Sequence, residues 1–520
     1  MNRRPQRLLH DSLLASAADP VLARKAAVIV EGATHSYGEL LDNALRLAAA
    51  LHDRGVVRGD RVAIYMDNSW PCVVSIYATL LAGGVFLLVN PQTKADKLGF
   101  ILDDSGARLL LTDSHLGKEF MPLLAHATRL AGVISSGSVP AGHGIVAFDD
   151  AIRDTAPLVE PAATIPLDLA ALIYTSGSTG QPKGVMQTHQ SMVFMLGSLV
   201  EYLRLDRDGC ILCVLPLAFD YGLYQLLLTV RLGATLVLER SFTYPAQVFA
   251  RMQAFDVTVF PGVPTIFAML LSAHQREPLC FAGVTRVTNT AAALADASAT
   301  RLRDIFPNAL IYKMYGLTEC KRVSYLEPEL AEARPGSVGK AIPGTEVYLL
   351  SADGQPTPMG ETGILHVRGP HVMLGYWNHP DLTGQMLRPG KLPGERVLCT
   401  HDLFRMDAEG FLYFVGRSDD IIKTRGEKVS PVEVENAMHA IAGIREVAVV
   451  GVPDVLLGQA IHAYVVLEPE ASLSCGQIRA QCLMRLEAFM VPQQIVLCAE
   501  LPRTATGKVS KKALLAQTSV

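Results

Sequence analysis

Short β-branched runs separated by helical lengths are the feature that most narrows what this chain can become. Arg61-Val62-Ala63-Ile64-Tyr65, Val85-Phe86-Leu87-Leu88-Val89 and Ala107-Arg108-Leu109-Leu110-Leu111-Thr112 read as strands. The alternation resumes at Ile211 to Leu215, Thr235 to Leu238 and Val257 to Phe260. Such spacing implies βαβ units and parallel sheets. From about Gly339 the texture changes to short strands with turn signals, as in Gly344-Thr345-Glu346-Val347-Tyr348-Leu349 and Ser351-Ala352-Asp353-Gly354, a small β-rich subdomain. Beyond Phe411 to Arg417 a polar stretch, Ser418-Asp419-Asp420, precedes a separate α+β unit with an acidic amphipathic helix over Pro431 to His439. At 520 residues the chain is too long for one core. The expected architecture is α/β: a large N-terminal domain, 1–418, of two parallel-type αβ subdomains plus the β-rich subdomain, then a small mobile α+β domain, 419–520.

Composition excludes several classes. A net charge of −4 gives no general attraction to nucleic acid or an anionic membrane. The nine cysteines are scattered, which suggests reduced thiols and a cytoplasmic protein. Cys210 and Cys213 have CxxC spacing but sit in an apolar run, with no second pair to complete a zinc site, and read as core thiols. The N-terminus lacks the pattern of a signal peptide. The longest apolar stretch, Val73 to Val89, is interrupted by Gly83-Gly84, so a helix turning into a strand explains it better than a membrane span. The expected assembly is a monomer or a homodimer.

The chemistry begins at Tyr174-Thr175-Ser176-Gly177-Ser178-Thr179-Gly180-Gln181-Pro182-Lys183-Gly184. An apolar strand-like run precedes it, and Met192, Met195, Leu196, Leu199, Val200 and Leu203 recur behind it at helical spacing. Many Ser/Gly stretches are flexible surface loops. Glycines that let the backbone approach an anion, hydroxyl donors and one lysine together suit a polyphosphate. The Gly-Lys-Ser/Thr ending of a Walker loop is missing. Further along, Tyr315-Gly316-Leu317-Thr318-Glu319 offers an aromatic face for a base and a carboxylate suited to Mg2+. Asp402 could hold ribose hydroxyls, and Arg417 can pair with phosphate or ribose oxygens. Lys508 lies on a Gly-containing loop, Pro502 to Lys508, close to the C-terminus.

In this order the motifs resemble the adenylate-forming superfamily: acyl- and aryl-CoA synthetases, peptide-synthetase adenylation domains and firefly luciferases. The resemblance runs from about Ser36 to Leu514. It implies a two-step reaction, in which a carboxylic acid reacts with ATP to give acyl-AMP and pyrophosphate, and a thiol then displaces AMP. It also implies roles. Thr175, Ser176, Gly177, Ser178, Thr179 and Lys183 would hold the β- and γ-phosphates. Thr290, Ala291, Ala292, Met314, Tyr315 and Gly316 would wall the nucleotide, with Tyr315 on adenine. Thr318 would touch the α-phosphate, Glu319 would bind Mg2+, and Asp402 and Arg417 would hold the ribose. Lys508 would bridge the acid and the α-phosphate. Rotation about a hinge at Asp419 would then bring Lys423 and Gly426 to the thioester step.

Several positions depart from the family pattern: Thr290-Ala291-Ala292-Ala293 in place of Gly-Gly-Ala-Pro, Lys313 where an amide is common, His401 in place of a glycine, and Met490 in place of a frequent lysine. The expected acid-binding residues are Phe219, Asp220, Tyr221, Gly222 and Lys321. Phe219-Asp220 resembles the pair whose aspartate binds a substrate's α-ammonium. Alternatively, Asp220 faces solvent or pairs with Lys321 or Arg322. The acceptor thiol belongs to CoA or to the phosphopantetheine of an acyl or peptidyl carrier protein. The absence of a fused carrier domain favours CoA, and the Phe-Asp pair favours carrier loading. A luciferase-like oxidation and a non-catalytic regulatory relative are the remaining readings.

Overall fold

A computed structural model describes residues 6–125, 129–138, 144–176, 182–290, 292, 294–418, 420–424, 427–454, 456–504 and 508–517. Two parallel sheets form the large domain. In the seven-stranded sheet, the strands over 145–147, 132–136, 109–113, 61–65, 85–88 and 169–176 run parallel, and Pro182–Thr188 closes one edge antiparallel. In the nine-stranded sheet, the strands over 26–30, 235–238, 210–213, 259–262, 286–289 and 310–315 are parallel, with antiparallel strands at both edges.

Alternation along the strands explains the layering. Val62 and Ile64 join a core that also takes Val28, Ile211 and Leu236 from the other sheet, whereas Ala63 and Tyr65 point to a second cluster with Leu98, Ile101 and Leu172. Strands buried on both faces need near-continuous apolar sequence, as these have. The apolar stretch from Val73 is a helix, Trp70–Leu81, capped by Ser69, followed by a turn at Gly83 (φ +76°) and the strand Val85–Leu88. Among the described residues no helix is long and apolar enough to cross a membrane. Cys210 and Cys213 are buried in one strand.

The β-rich unit is an antiparallel five-stranded sheet over 346–417. The small C-terminal domain has its own mixed sheet and its own apolar core, which starts at Ile422, while the large core ends at Leu412. Its helix Pro431–His439 is capped by Ser430. The two domains touch: Ser430 donates to the Val415 carbonyl, and Arg503 Nη1 lies 3.2 Å from Thr265 Oγ1 on the helix Pro264–Arg276.

One histidine couples the fold to pH. His189 is 1% exposed, opens the helix behind the phosphate-loop hairpin, and accepts the Leu9 N–H at Nδ1 (3.2 Å). Burial lowers its pKa to about 4. The folded state therefore binds its proton less readily than the unfolded chain, so this stability is full above about pH 6.5 and falls as pH drops toward 4. Denaturant midpoints should show a loss of roughly 2 kcal/mol from this group between pH 7 and 5. His189→Asn, which keeps an acceptor, should flatten that slope.

Candidate active site

The phosphate-loop motif lies in a hairpin. Strand Leu169–Ser176 pairs antiparallel with Pro182–Thr188, placing Thr175 opposite Lys183 and Ser176 opposite Pro182. Where the sequence suggested strand, loop and helix, a second strand intervenes and the helix starts at His189. Pairing of Val185 with Ile173 and of Met186 with Leu172 extends the sheet by one edge strand. Gly177, Ser178 and Thr179 lie outside the described residues, as do Ala291, Asp419 and Gly426.

A residue that the sequence analysis did not single out joins the two halves of the site. Tyr376 is 2% exposed; its hydroxyl receives Lys183 Nζ at 2.9 Å and donates to Glu319 Oε1 at 2.5 Å. Lys183 Nζ also lies 4.0 Å from the centre of the Tyr376 ring, a cation–π distance. The backbone explains the placement. Gly375 accepts from the Met186 N–H, and the Trp377 N–H donates to Gly184, so this segment continues the sheet beside the strand that carries Lys183. The Met373 N–H donates to the Glu319 carbonyl at 2.8 Å, tying the same segment to the Glu319 loop. No local pattern around Gly375-Tyr376-Trp377 announces this role, because the pairing spans about 190 residues of sequence.

Glu319 and Lys321 follow the parallel strand Leu310–Tyr315, at the carboxyl end of a sheet, where α/β folds bind ligands. Met314 is buried on that strand, with Tyr202 Oη 2.9 Å from its sulfur. A side chain at Gly316 would meet the Lys321 carbonyl at 2.1 Å, so the chain folds back on itself only with glycine there. The Thr318 carbonyl is held by Gln187 Nε2 at 3.0 Å. Tyr315 donates to the Asp402 carboxylate, and its ring meets Phe404 edge-on at 4.8 Å. Burial, with Asp402 beside it, raises the Tyr315 pKa far above the ordinary range. Asp402 faces Arg417 across adjacent strands, Nε to Oδ1 3.7 Å. Thr290 is buried and Ala292 exposed at the end of a neighbouring strand. Lys313 pairs with Asp296, and His401 holds a left-handed backbone (φ +58°), the conformation that favours glycine.

The small domain brings Lys508 to this group. Lys508 keeps contact with solvent at a crowded junction; desolvation lowers its pKa, Arg417 acts the same way, and Asp402 and Glu319 oppose. Lys183 shows the same pattern: burial lowers its pKa, Glu319 opposes and Arg417 reinforces. Lys183 thus reaches Glu319 through Tyr376 and Arg417 lies beside Asp402, with the charge of Lys508 acting on the same group, an arrangement of cations suited to a polyanion. Lys423, in contrast, is exposed on a strand of the small domain, its N–H bound to Gln459.

The expected acid-binding residues fall at the start of the helix Asp220–Leu232 and on the Glu319 loop. Phe219 precedes the helix Asp220–Leu232, and Gly222 packs so closely that a Cβ would lie 2.3 Å from the Pro216 carbonyl. Tyr221 donates to the Thr288 carbonyl at 2.7 Å. Of the alternatives for Asp220, the structure selects a protein partner: Arg322 Nη1 lies 3.3 Å from Oδ2, and the guanidinium stands 5.0 Å from the Tyr221 ring centre. Lys321 does not reach Asp220. It is 1% exposed, and its ammonium donates to Ser191 Oγ (3.1 Å) and the His371 carbonyl (3.0 Å).

Removing the Tyr376 hydroxyl leaves Glu319 and Lys183 each without a buried hydrogen bond. Bonds to charged groups contribute about 1.5–3 kcal/mol. Tyr376→Phe should therefore weaken MgATP binding about tenfold or more in calorimetry while leaving the circular dichroism spectrum unchanged.

Comparisons with known proteins agree with this geometry. The family profile for AMP-binding enzymes matches residues 17–377, and that for the AMP-binding enzyme C-terminal domain matches 433–508. A long-chain-fatty-acid–CoA ligase of Bacillus subtilis (strain 168) is 30% identical over 98% of this chain and 94% of its own length. A 2-succinylbenzoate–CoA ligase of Geobacillus kaustophilus (strain HTA426) is 31% identical, covering 92% of each. Tyrocidine synthase 3 of Brevibacillus parabrevis is 32% identical over 94% of this chain, which spans only 7% of that much longer protein. Among solved structures, the anthranilate CoA ligase AuaEII in complex with anthranoyl-AMP superposes with a TM-score of 0.90 at 26% identity, covering 99% of this chain and 98% of its own. ATP-bound MatB from Rhodopseudomonas palustris gives 0.88 at 27%, covering 98% and 99%. The chain belongs to the AMP-binding enzymes, the adenylate-forming superfamily of ATP-dependent ligases.

Proposed function

We propose that this chain is an acid–thiol ligase that activates a carboxylic acid as acyl-AMP and passes the acyl group to the thiol of CoA. The observation that carries the reading is the Lys183–Tyr376–Glu319 bridge beside the Tyr315–Asp402–Arg417 group, within one cluster of cations and carboxylates.

A carboxylate approaching a triphosphate is repelled by like charge, so the site must neutralise charge as the new bond forms. In the first step an oxygen of the acid bonds to the α-phosphorus and the bond to the β-phosphate oxygen breaks, releasing pyrophosphate. Lys183, with the 175–179 stretch, holds the phosphates that leave. Lys508 clamps the acid and the α-phosphate, Thr318 contacts the α-phosphate, and Asp402 and Arg417 hold the ribose. The buried carboxylate of Glu319, oriented by Tyr376 and offering hard oxygen donors, fits Mg2+. That ion would supply charge neutralisation on the phosphates. In the second step the thiol loses its proton, its sulfur bonds to the acyl carbon and AMP departs. Lys508 must withdraw first, because it occupies the approach to the same carbonyl. We assign that motion to a rotation of 419–520 against 1–418 about Asp419, which would bring Lys423 and Gly426 to the site.

Two features support CoA over a carrier protein. The CoA ligases named above correspond to this chain along nearly their whole length. The carboxylate that favoured an amino acid substrate, Asp220, is already engaged by Arg322. Carrier loading remains the second reading because peptide synthetases are equally similar in sequence.

Acid-dependent exchange of pyrophosphate into ATP should be found with this protein, and thioester should form with CoA more readily than with a phosphopantetheinylated carrier. The reverse order of acceptors would move the assignment to carrier loading. Lys508→Ala should reduce exchange by two to three orders of magnitude or about that, yet leave thioester formation from supplied acyl-AMP near wild type. An equal loss in both half-reactions would refute the withdrawing clamp.

A further inference from the structure

We infer that Arg322 is a built-in counter-ion for Asp220, filling the place a substrate ammonium would take, and that the acid of this site carries a second carboxylate in place of an amine. This deepens the ligase reading above and rests on it.

The placement of the pair comes first. Asp220 begins the helix that packs beside the strand Arg286–Asn289, through the Tyr221–Thr288 hydrogen bond, and its carboxylate lies within the field of Glu319. Arg322 comes three residues after Glu319 and is 4% exposed. Both therefore stand beside the Glu319 loop. Asp220 needs a cation, since an unpaired carboxylate in such surroundings is costly. Arg322 supplies it from within the chain at 3.3 Å, with Tyr221 beneath the guanidinium. An amino acid would have to displace a buried guanidinium to reach Asp220, leaving Arg322 buried without its anion.

The charge count runs the same way. Lys321 and Arg322 are adjacent buried cations, and the carboxylate whose field reaches both is Asp220. Lys321 has only neutral oxygens as hydrogen-bond acceptors, those of Ser191 and His371. Arg322 makes its recorded hydrogen bonds through Nη1, to Asp220 and the Lys321 carbonyl, and its Nε has no hydrogen-bond partner. The guanidinium, paired through Nη1 and unpartnered at Nε, would be opposed by an approaching ammonium and satisfied by a carboxylate. A guanidinium with an unused edge is suited to receive a carboxylate with two parallel hydrogen bonds.

Lys321 carries a further mark of specialisation. Its backbone is left-handed (φ +66°), a conformation rare for a non-glycine residue and found where surrounding structure enforces it. That turn aims Lys321 and Arg322 in different directions from one short loop, Lys321 toward Ser191 and Arg322 toward Asp220.

The test is pyrophosphate exchange with acids matched in framework (short aliphatic, long aliphatic and aromatic), each offered with a carboxylate, a methyl or an ammonium as its second group. On the framework that is used, the dicarboxylate should exceed the amino form at least tenfold in kcat/KM, about 1.4 kcal/mol. Arg322→Ala should narrow or invert that ratio through the KM for the acid, with the KM for ATP unchanged. Arg322→Lys, which keeps the charge and guards against a folding defect, should retain the wild-type order. Preference of the wild type for an amino or methyl acid would overturn the inference and leave the ligase reading standing. So would an Arg322→Ala variant that weakens every acid and ATP by one factor. Absence of exchange with every acid would overturn the ligase reading itself, and the inference with it.

Discussion

The hydrogen bonds from Lys183 to Tyr376 and from Tyr376 to Glu319 are the contact on which the rest of the site depends. A lysine and a glutamate this near each other would otherwise collapse into an ion pair. The phenol between them satisfies both at 2.9 and 2.5 Å. It does so because the segment around Gly375 is stitched to the Lys183 strand and to the Glu319 loop by main-chain hydrogen bonds, which hold their geometry more firmly than surface side chains do. The structure thus prepares the site before any substrate arrives.

Around that bridge the molecule is arranged as two sides with opposite electrostatic problems. On one side, Lys183 reaches Glu319 through Tyr376 and Arg417 lies beside Asp402, an arrangement of cations suited to a polyanion. On the other side, Asp220 is balanced by Arg322 within the protein, and Lys321 adds a second buried cation. Glu319 sits between them and is felt from both. The small domain adds the charge of Lys508 near Asp402 and Glu319.

Much of the fold was legible because local patterns and tertiary outcome coincide. Arg61–Tyr65 and Thr235–Leu238 fall where their apolar, β-branched sequence puts them, and Pro431–His439 is a helix of the expected extent. The second strand of the phosphate-loop hairpin was not legible. Pro182 to Thr188 has no strong strand signal of its own and becomes a strand through its partner, Leu169–Ser176. Among site residues, Lys183, Tyr315, Glu319, Asp402, Arg417 and Lys508 stood out because charged or aromatic groups next to turns and strand ends are visible in sequence. Tyr376 did not, since a tyrosine in an apolar stretch reads as ordinary core.

By itself the sequence determined the class of the molecule: parallel sheets from strand spacing, a separate C-terminal unit after the polar break near Asp419, and a candidate phosphate-handling site from its loop and carboxylates. These follow from short-range periodicity and residue chemistry. Only the tertiary structure decided who partners whom. Asp220 could have waited for a substrate amine, faced solvent, or paired with Lys321; it is held by Arg322 because the chain folds back at Gly316 and turns left-handed at Lys321. Buried charge is satisfied by whichever counter-charge the backbone brings within reach, and that depends on the path of the whole chain.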